Sequence, residues 1–63
     1  MLYYGRDEKA SDAAIEILDT AGVVYLIWFV DFTEPRLVID GTEFVGVEEI
    51  KSHVQDILNL AYP

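Results

Sequence analysis

A chain of 63 residues has room for one small domain, residues 1–63, and at this size folding hides only about 60% of the surface the unfolded chain exposes. Without cysteine it has no disulfide staple, no thiolate nucleophile and no cysteine-ligated metal site. Twelve acids against four bases, a net charge of −8, oppose a nucleic-acid partner, which needs a basic stripe, while a hydrophobic content of 52% separates the chain from disordered sequences.

The first twenty residues hold Asp7, Glu8 and Asp12 and no apolar core, so they do not read as a signal peptide. The longest apolar run, Val23 to Val30, falls far short of the roughly 20 residues of a membrane-spanning helix. No membrane partner is expected. A cytoplasmic location is the expectation, and the lack of cysteine suits a reducing compartment.

Leu2-Tyr3-Tyr4 reads as a short strand running into a turn at Gly5. The polar stretch Arg6 to Lys9 opens a helix, with Asp7 as N-cap and Glu8 in the first turn; Ser11-Asp12 is a rival start. Ala14, Ile15, Leu18 and Ala21 recur at helical spacing, Ile17 widens the stripe, and Gly22 stands where a C-cap glycine belongs. Val23 to Val30 is β-branched and aromatic without polar alternation, the pattern of a strand apolar on both faces. After a polar connection, Asp31 to Pro35, Leu37-Val38-Ile39 and Glu43-Phe44-Val45 form a hairpin around Asp40-Gly41. Beyond Gly46, Glu48 and Glu49 open a last helix with Ile50, Val54, Ile57, Leu58 and Ala61 on one face. The order β-α-β-β-β-α predicts an α/β fold whose first two strands pair in parallel through a right-handed crossover.

This order, together with Thr33-Glu34-Pro35-Arg36-Leu37-Val38-Ile39-Asp40-Gly41 and its continuation through Phe44-Val45-Gly46 to Glu48-Glu49-Ile50, resembles the glutaredoxin branch of the thioredoxin fold. The resemblance covers nearly the whole chain. It implies a four-stranded mixed sheet with two helices on one face, strand two at one edge beside strand one and the hairpin on the other side. It also implies a cis bond before Pro35, with the main chain ahead of it pairing with an extended thiol or peptide ligand. Two departures qualify it. The family's Cys-x-x-Cys motif falls on Glu8-Lys9-Ala10-Ser11, and neither Glu8 nor Ser11 can exchange a disulfide, so the family's enzymatic activity does not carry over. A helix that the family carries between Val30 and Thr33 is missing.

The candidate ligand or peptide site implied by the resemblance comprises Thr33, Glu34, Pro35, Gly46 and Glu48. Glutathione is the ligand the family suggests. Here the family's basic residue falls on Gly5, with Arg6 next to it, and Glu48 and Glu49 at the helix start oppose an anion. Asp7, Glu8 and Asp12 lack the ligand spacing of a calcium loop, and His53 has no second histidine or cysteine, so neither a metal nor a cofactor is expected. The missing helix leaves one sheet face without cover. Strand period separates Val23, Tyr25, Ile27 and Phe29 from Val24, Leu26, Trp28 and Val30. The interface expected from this is Tyr25, Ile27 and Phe29, packed face to face about a twofold axis, with Leu26 and Trp28 as the competing set.

The functional expectation is a redox-inactive interaction module that forms a homodimer or binds another protein; the alternative is a glutathione- or thiol-peptide-binding relative using Thr33-Glu34-Pro35. Because Met1 carries the chain's only sulfur, a mixed-disulfide reduction assay is expected to give the uncatalysed rate, and turnover clearly above it would refute the inactive reading.

Overall fold

A computed structural model describes all 63 residues. The elements are β1 (Leu2–Tyr4), α1 (Glu8–Ala21), β2 (Ile27–Phe29), β3 (Arg36–Ile39), β4 (Thr42–Val45), α2 (Val47–Ser52) and α3 (Val54–Ala61). The sheet order is β2-β1-β3-β4, with β1 parallel to β2 and antiparallel to β3, and β3 antiparallel to β4. The α/β class, the mixed four-stranded sheet and the edge position of strand two agree with the sequence reading.

Local chemistry sets the element ends. Asp7 caps α1, its carboxylate accepting from the Ala10 N–H at 3.1 Å, which settles the start in favour of Asp7 over Ser11-Asp12. Gly22 closes the helix at φ 81°, and the Val23 N–H reaches back to the Leu18 carbonyl at 3.0 Å. Asp40 and Gly41, at φ 50° and 77°, form the tight turn joining β3 to β4, a conformation whose twist matches the flanking strands.

Strand two is shorter than its sequence suggests. Only Ile27 to Phe29 pair, because β1 offers three residues, and the Val24 N–H is occupied by the Tyr62 phenol at 2.9 Å. That same phenol donates to the Gly22 carbonyl at 3.0 Å, so one side chain near the C-terminus holds the approach to β2 on both sides. The last helix is also interrupted. His53, at φ −110° and ψ 22°, divides it into α2 and α3, giving three helices where two were expected. The Ser52 hydroxyl donates to the Glu48 carbonyl one turn back, a bond that bends helices, and the His53 ring packs 5.6 Å from the Phe44 ring on the sheet.

Leu2, Leu37 and Phe44 from the sheet meet Ala14, Leu18, Val23, Ile50 and Ile57 in a single buried core. Strand register carries the Leu2 face through Ile27, Tyr4 and Phe29 on one side and through Leu37 and Phe44 on the other. The opposite, helix-free face holds Tyr3, Trp28, Arg36, Val38, Glu43 and Val45. This corrects the face expected for that set, though not the exposure of Ile27 and Phe29. Ile27 and Phe29 lie on the helix-bearing face, and the residue strand two presents on the helix-free face is Trp28. Nor is that face uniformly apolar: Arg36 pairs with Glu43 at 2.9 Å and lies 4.4 Å from the Phe32 ring centre.

Two tyrosines fasten α1 to the segments flanking it. The Tyr4 hydroxyl donates to Asp12 at 2.7 Å and the Tyr25 hydroxyl to Asp19 at 2.8 Å. The hydrogen bond to Asp12 pushes the Tyr4 phenol up to about 12, while burial and then the bond to Asp19 push Tyr25 up to about 12. A phenol whose folded pKa exceeds its unfolded value near 10 contributes stability that is complete below about pH 10. That contribution is lost as pH rises toward 12. Absorbance titration near 295 nm is expected to show both groups ionising late, with the late component halved in Tyr4→Phe or Tyr25→Phe. Ionisation of both near pH 10 would contradict the clasps.

Candidate functional site: the loop crossing and the open edge

The connection from β2 to β3 passes across the C-terminal end of β1, and Gly5 is the crossing point. A Cβ at Gly5 would lie 2.7 Å from the Thr33 carbonyl oxygen and 2.8 Å from that of Glu34, both backbone atoms that cannot swing away. The crossing is tied by hydrogen bonds from the Arg6 N–H to the Phe32 carbonyl at 2.6 Å and from the Asp7 N–H to the Thr33 carbonyl at 3.0 Å. On its other side Ser11, fully buried, accepts from the Gly5 N–H at 3.0 Å. Its hydroxyl also reaches the Gly5 carbonyl at 3.5 Å.

These contacts assign roles to the positions singled out in the sequence. Ser11 serves the backbone of the crossing, and Glu8, in the first turn of α1, is exposed to solvent, so the two positions that the resemblance aligns with Cys-x-x-Cys form no joint site. Thr33, Glu34, Pro35 and Gly46 do converge: the Gly46 N–H donates to the Pro35 carbonyl at 2.8 Å, and the Glu34 carboxylate lies 3.5 Å from the Cβ position of Gly46. Glu48 is not with them; it lines the groove between α1 and α2 beside Glu16 and Lys51.

The expected cis bond before Pro35 is absent, and every peptide bond in the chain is trans. The chain turns here through the carbonyl contacts to Arg6, Asp7 and Gly46, which leaves the proline in its ordinarily favoured isomer. The carbonyls of Phe32 and Thr33 are thereby engaged within the molecule. Arg6, next to the position where the resemblance expects a basic residue, sits 3.5 Å from Asp31, and Glu34 adds negative charge beside Gly46. No three acidic or histidine side chains converge into a group that could hold a metal ion, and His53 pairs only with Asp56, at 3.0 Å.

The second candidate region is β2. Leu26, Trp28 and Phe29 are 71%, 62% and 76% exposed, and Val24 and Ile27 are exposed beside them. Tyr25, one of the three expected contact residues, is instead half-buried and bonded to Asp19. Side chains above and below the strand are therefore bare together, because α1 stops short of covering the edge. The backbone is open as well. Leu26 and Val30 turn a carbonyl and an N–H toward Leu2 and Tyr4 of β1, so the alternation of a parallel ladder aims the polar groups of Ile27 and Phe29 outward.

No helix is long and apolar enough to cross a membrane. The crossing yields a stability test. Ser11→Ala leaves the buried Gly5 N–H without a partner and is expected to cost about 1–3 kcal/mol in urea unfolding. Gly5→Ala, which must displace backbone, is expected to cost at least as much, typically ~1–3 kcal/mol or more. A neutral result for both would show that the crossing does not constrain the fold. Comparison with protein-family models, curated proteins and solved structures finds no match.

Proposed function

We propose that this chain is a redox-inactive protein-interaction module that self-associates through β2. The observation that carries the reading is the run of exposed apolar side chains on an edge strand that also leaves its backbone groups free. Monomeric proteins blunt such edges with charge, proline or a bulge, since an open apolar edge is a template for another chain. Strand β4, at the other edge, carries Glu43; Ile27-Trp28-Phe29 carries none of these devices. The placement of Glu8 and Ser11 supports the inactive part of the reading, because Ser11 is occupied in holding Gly5.

Trp28 is the only tryptophan and lies within the patch, so its fluorescence reports on association directly. Sedimentation velocity over a concentration series is expected to show reversible dimers, with tryptophan emission shifting to the blue as they form. Phe29→Asp is expected to give a monomer with red-shifted emission. Its melting temperature at low concentration should change little, because an exposed site lies within roughly ±0.5 kcal/mol of neutral. A compact monomer at the highest attainable concentration, with emission typical of solvated indole, would overturn the proposal. Titration with glutathione separates it from ligand binding: saturable amide shifts confined to Thr33–Gly46 would favour the latter.

A further inference from the structure

The apolar groups bared on β2 occupy both of its faces, Trp28 on the helix-free side and Ile27 and Phe29 on the helix-bearing side. Packing one sheet face on another would bury only one of these sets. It would also bury the Arg36–Glu43 ion pair, which shares the helix-free face with Trp28, at a desolvation cost. Adding a strand at the edge covers both sets and satisfies the outward backbone groups.

We infer that the occupant of this edge is a second copy of the chain, with β2 pairing antiparallel to its twin about a twofold axis through Trp28. This rests on the reading of β2 as a self-association surface and specifies the mode of pairing and its register. The residues whose N–H and C=O point outward are Ile27 and Phe29, on either side of Trp28. In this register Ile27 lies opposite the partner's Phe29, and each of the two such pairs exchanges both of its hydrogen bonds. Trp28 faces its own twin in the closer, non-hydrogen-bonded type of pair, whose Cα atoms lie about 4.5 Å apart. Leu26 falls opposite the partner's Val30. The product is one continuous eight-stranded sheet.

Three further observations fit a second copy. The stretch Gly22 to Val30 carries no charge, so the net −8 of each chain is kept off the seam. The nearest acid beyond it, Asp31, lies about six strand positions from its twin, about 20 Å, more than two Debye lengths at physiological ionic strength. The pairing leaves room for the helices: the two β1 strands would stand about 14 Å apart, three strand spacings. That spacing accords with the exposure of Ile27 and Phe29, which shows that α1 does not overhang the edge. Finally, with about 200 Å² in a whole aromatic side chain, Trp28 and Phe29 alone bare roughly 280 Å² at their exposures of 62% and 76%. Val24, Leu26 and Ile27 extend a patch already near the few hundred Å² typical of monomers.

The chain's lack of cysteine permits a clean test. Leu26→Cys and Val30→Cys proteins are mixed in a thiol–disulfide redox buffer, where the proposed register apposes their sulfurs within disulfide reach. The mixed disulfide is expected in at least about tenfold excess over either symmetric one, as apposed thiols meet at millimolar effective concentration. A second comparison reads the backbone. Phe29→Pro removes an outward N–H while sparing the β1 ladder, and is expected to weaken the dimer about tenfold more than Phe29→Ala. Symmetric disulfides in equal or greater amount, or equal effects of the two Phe29 variants, with the wild-type dimer intact by sedimentation, would overturn the register alone. Loss of the dimer in the wild-type chain itself would overturn the register and the interaction reading together.

Discussion

Gly5 allows the backbone of one segment to pass within contact distance of another. With only Val30 to Pro35 between β2 and β3, the chain must travel from the outer edge of the sheet across the end of β1 to reach β3. A longer connection would arch over that end and leave space for a side chain. The short one lies flat, close enough that only hydrogen fits at the Cα of residue 5. Much else follows from that contact. The N–H groups of Arg6 and Asp7 find their acceptors in the crossing loop, which places Asp7 to cap α1. The first turns of α1 then bring Ser11 under Gly5, in a position that admits a hydroxyl with two backbone groups to serve.

Much of the scaffold was legible in the sequence because its signals are local and mutually consistent. Asp7, the stripe through Ala14 and Leu18, and Gly22 each specify part of α1 through backbone chemistry that needs no distant partner. Asp40-Gly41 fixes the hairpin for the same reason. What was not legible depends on distant atoms. The length of β2 is set by the three residues of β1 and by Tyr62, some forty positions away in the chain. At the break the His53 ring lies against the ring of Phe44 on the sheet, and a bare periodicity of apolar residues runs through it without a sign. The isomer of the Glu34–Pro35 bond has no local signal in these residues; the cis expectation rests on the resemblance alone, and the bond is trans.

The candidate sites divide in the same way. The resemblance alone sets Ser11 at a cysteine position, whereas its structural duty depends on what lies behind Gly5. The apolar run from Val23 to Val30 carries the expectation that one face is left uncovered, and two faces of a strand are separable by counting; the open edge has no such signal. Which set faces the helices is a matter of register with Leu2 and Tyr4, and a one-residue difference inverts the answer. The Tyr4–Asp12 and Tyr25–Asp19 clasps had a weak signal, two aspartates seven positions apart on one helix and a tyrosine beyond either end, that gains meaning only once α1 is laid on the sheet.

The Tyr62 phenol ties the C-terminal residues to the segment that leads into β2. Val24 leads into the exposed edge, yet its amide proton is held by a side chain from beyond the last helix. Exchange of that one proton with solvent deuterium therefore follows the docking of the C-terminal residues, while exchange of the Val30 amide, bonded to the Tyr4 carbonyl of β1, follows the opening of the sheet. The two rates separate fraying of the tail from loosening of the edge, and a tag or fusion that displaces Tyr62 would be visible first at Val24, before any change in the core.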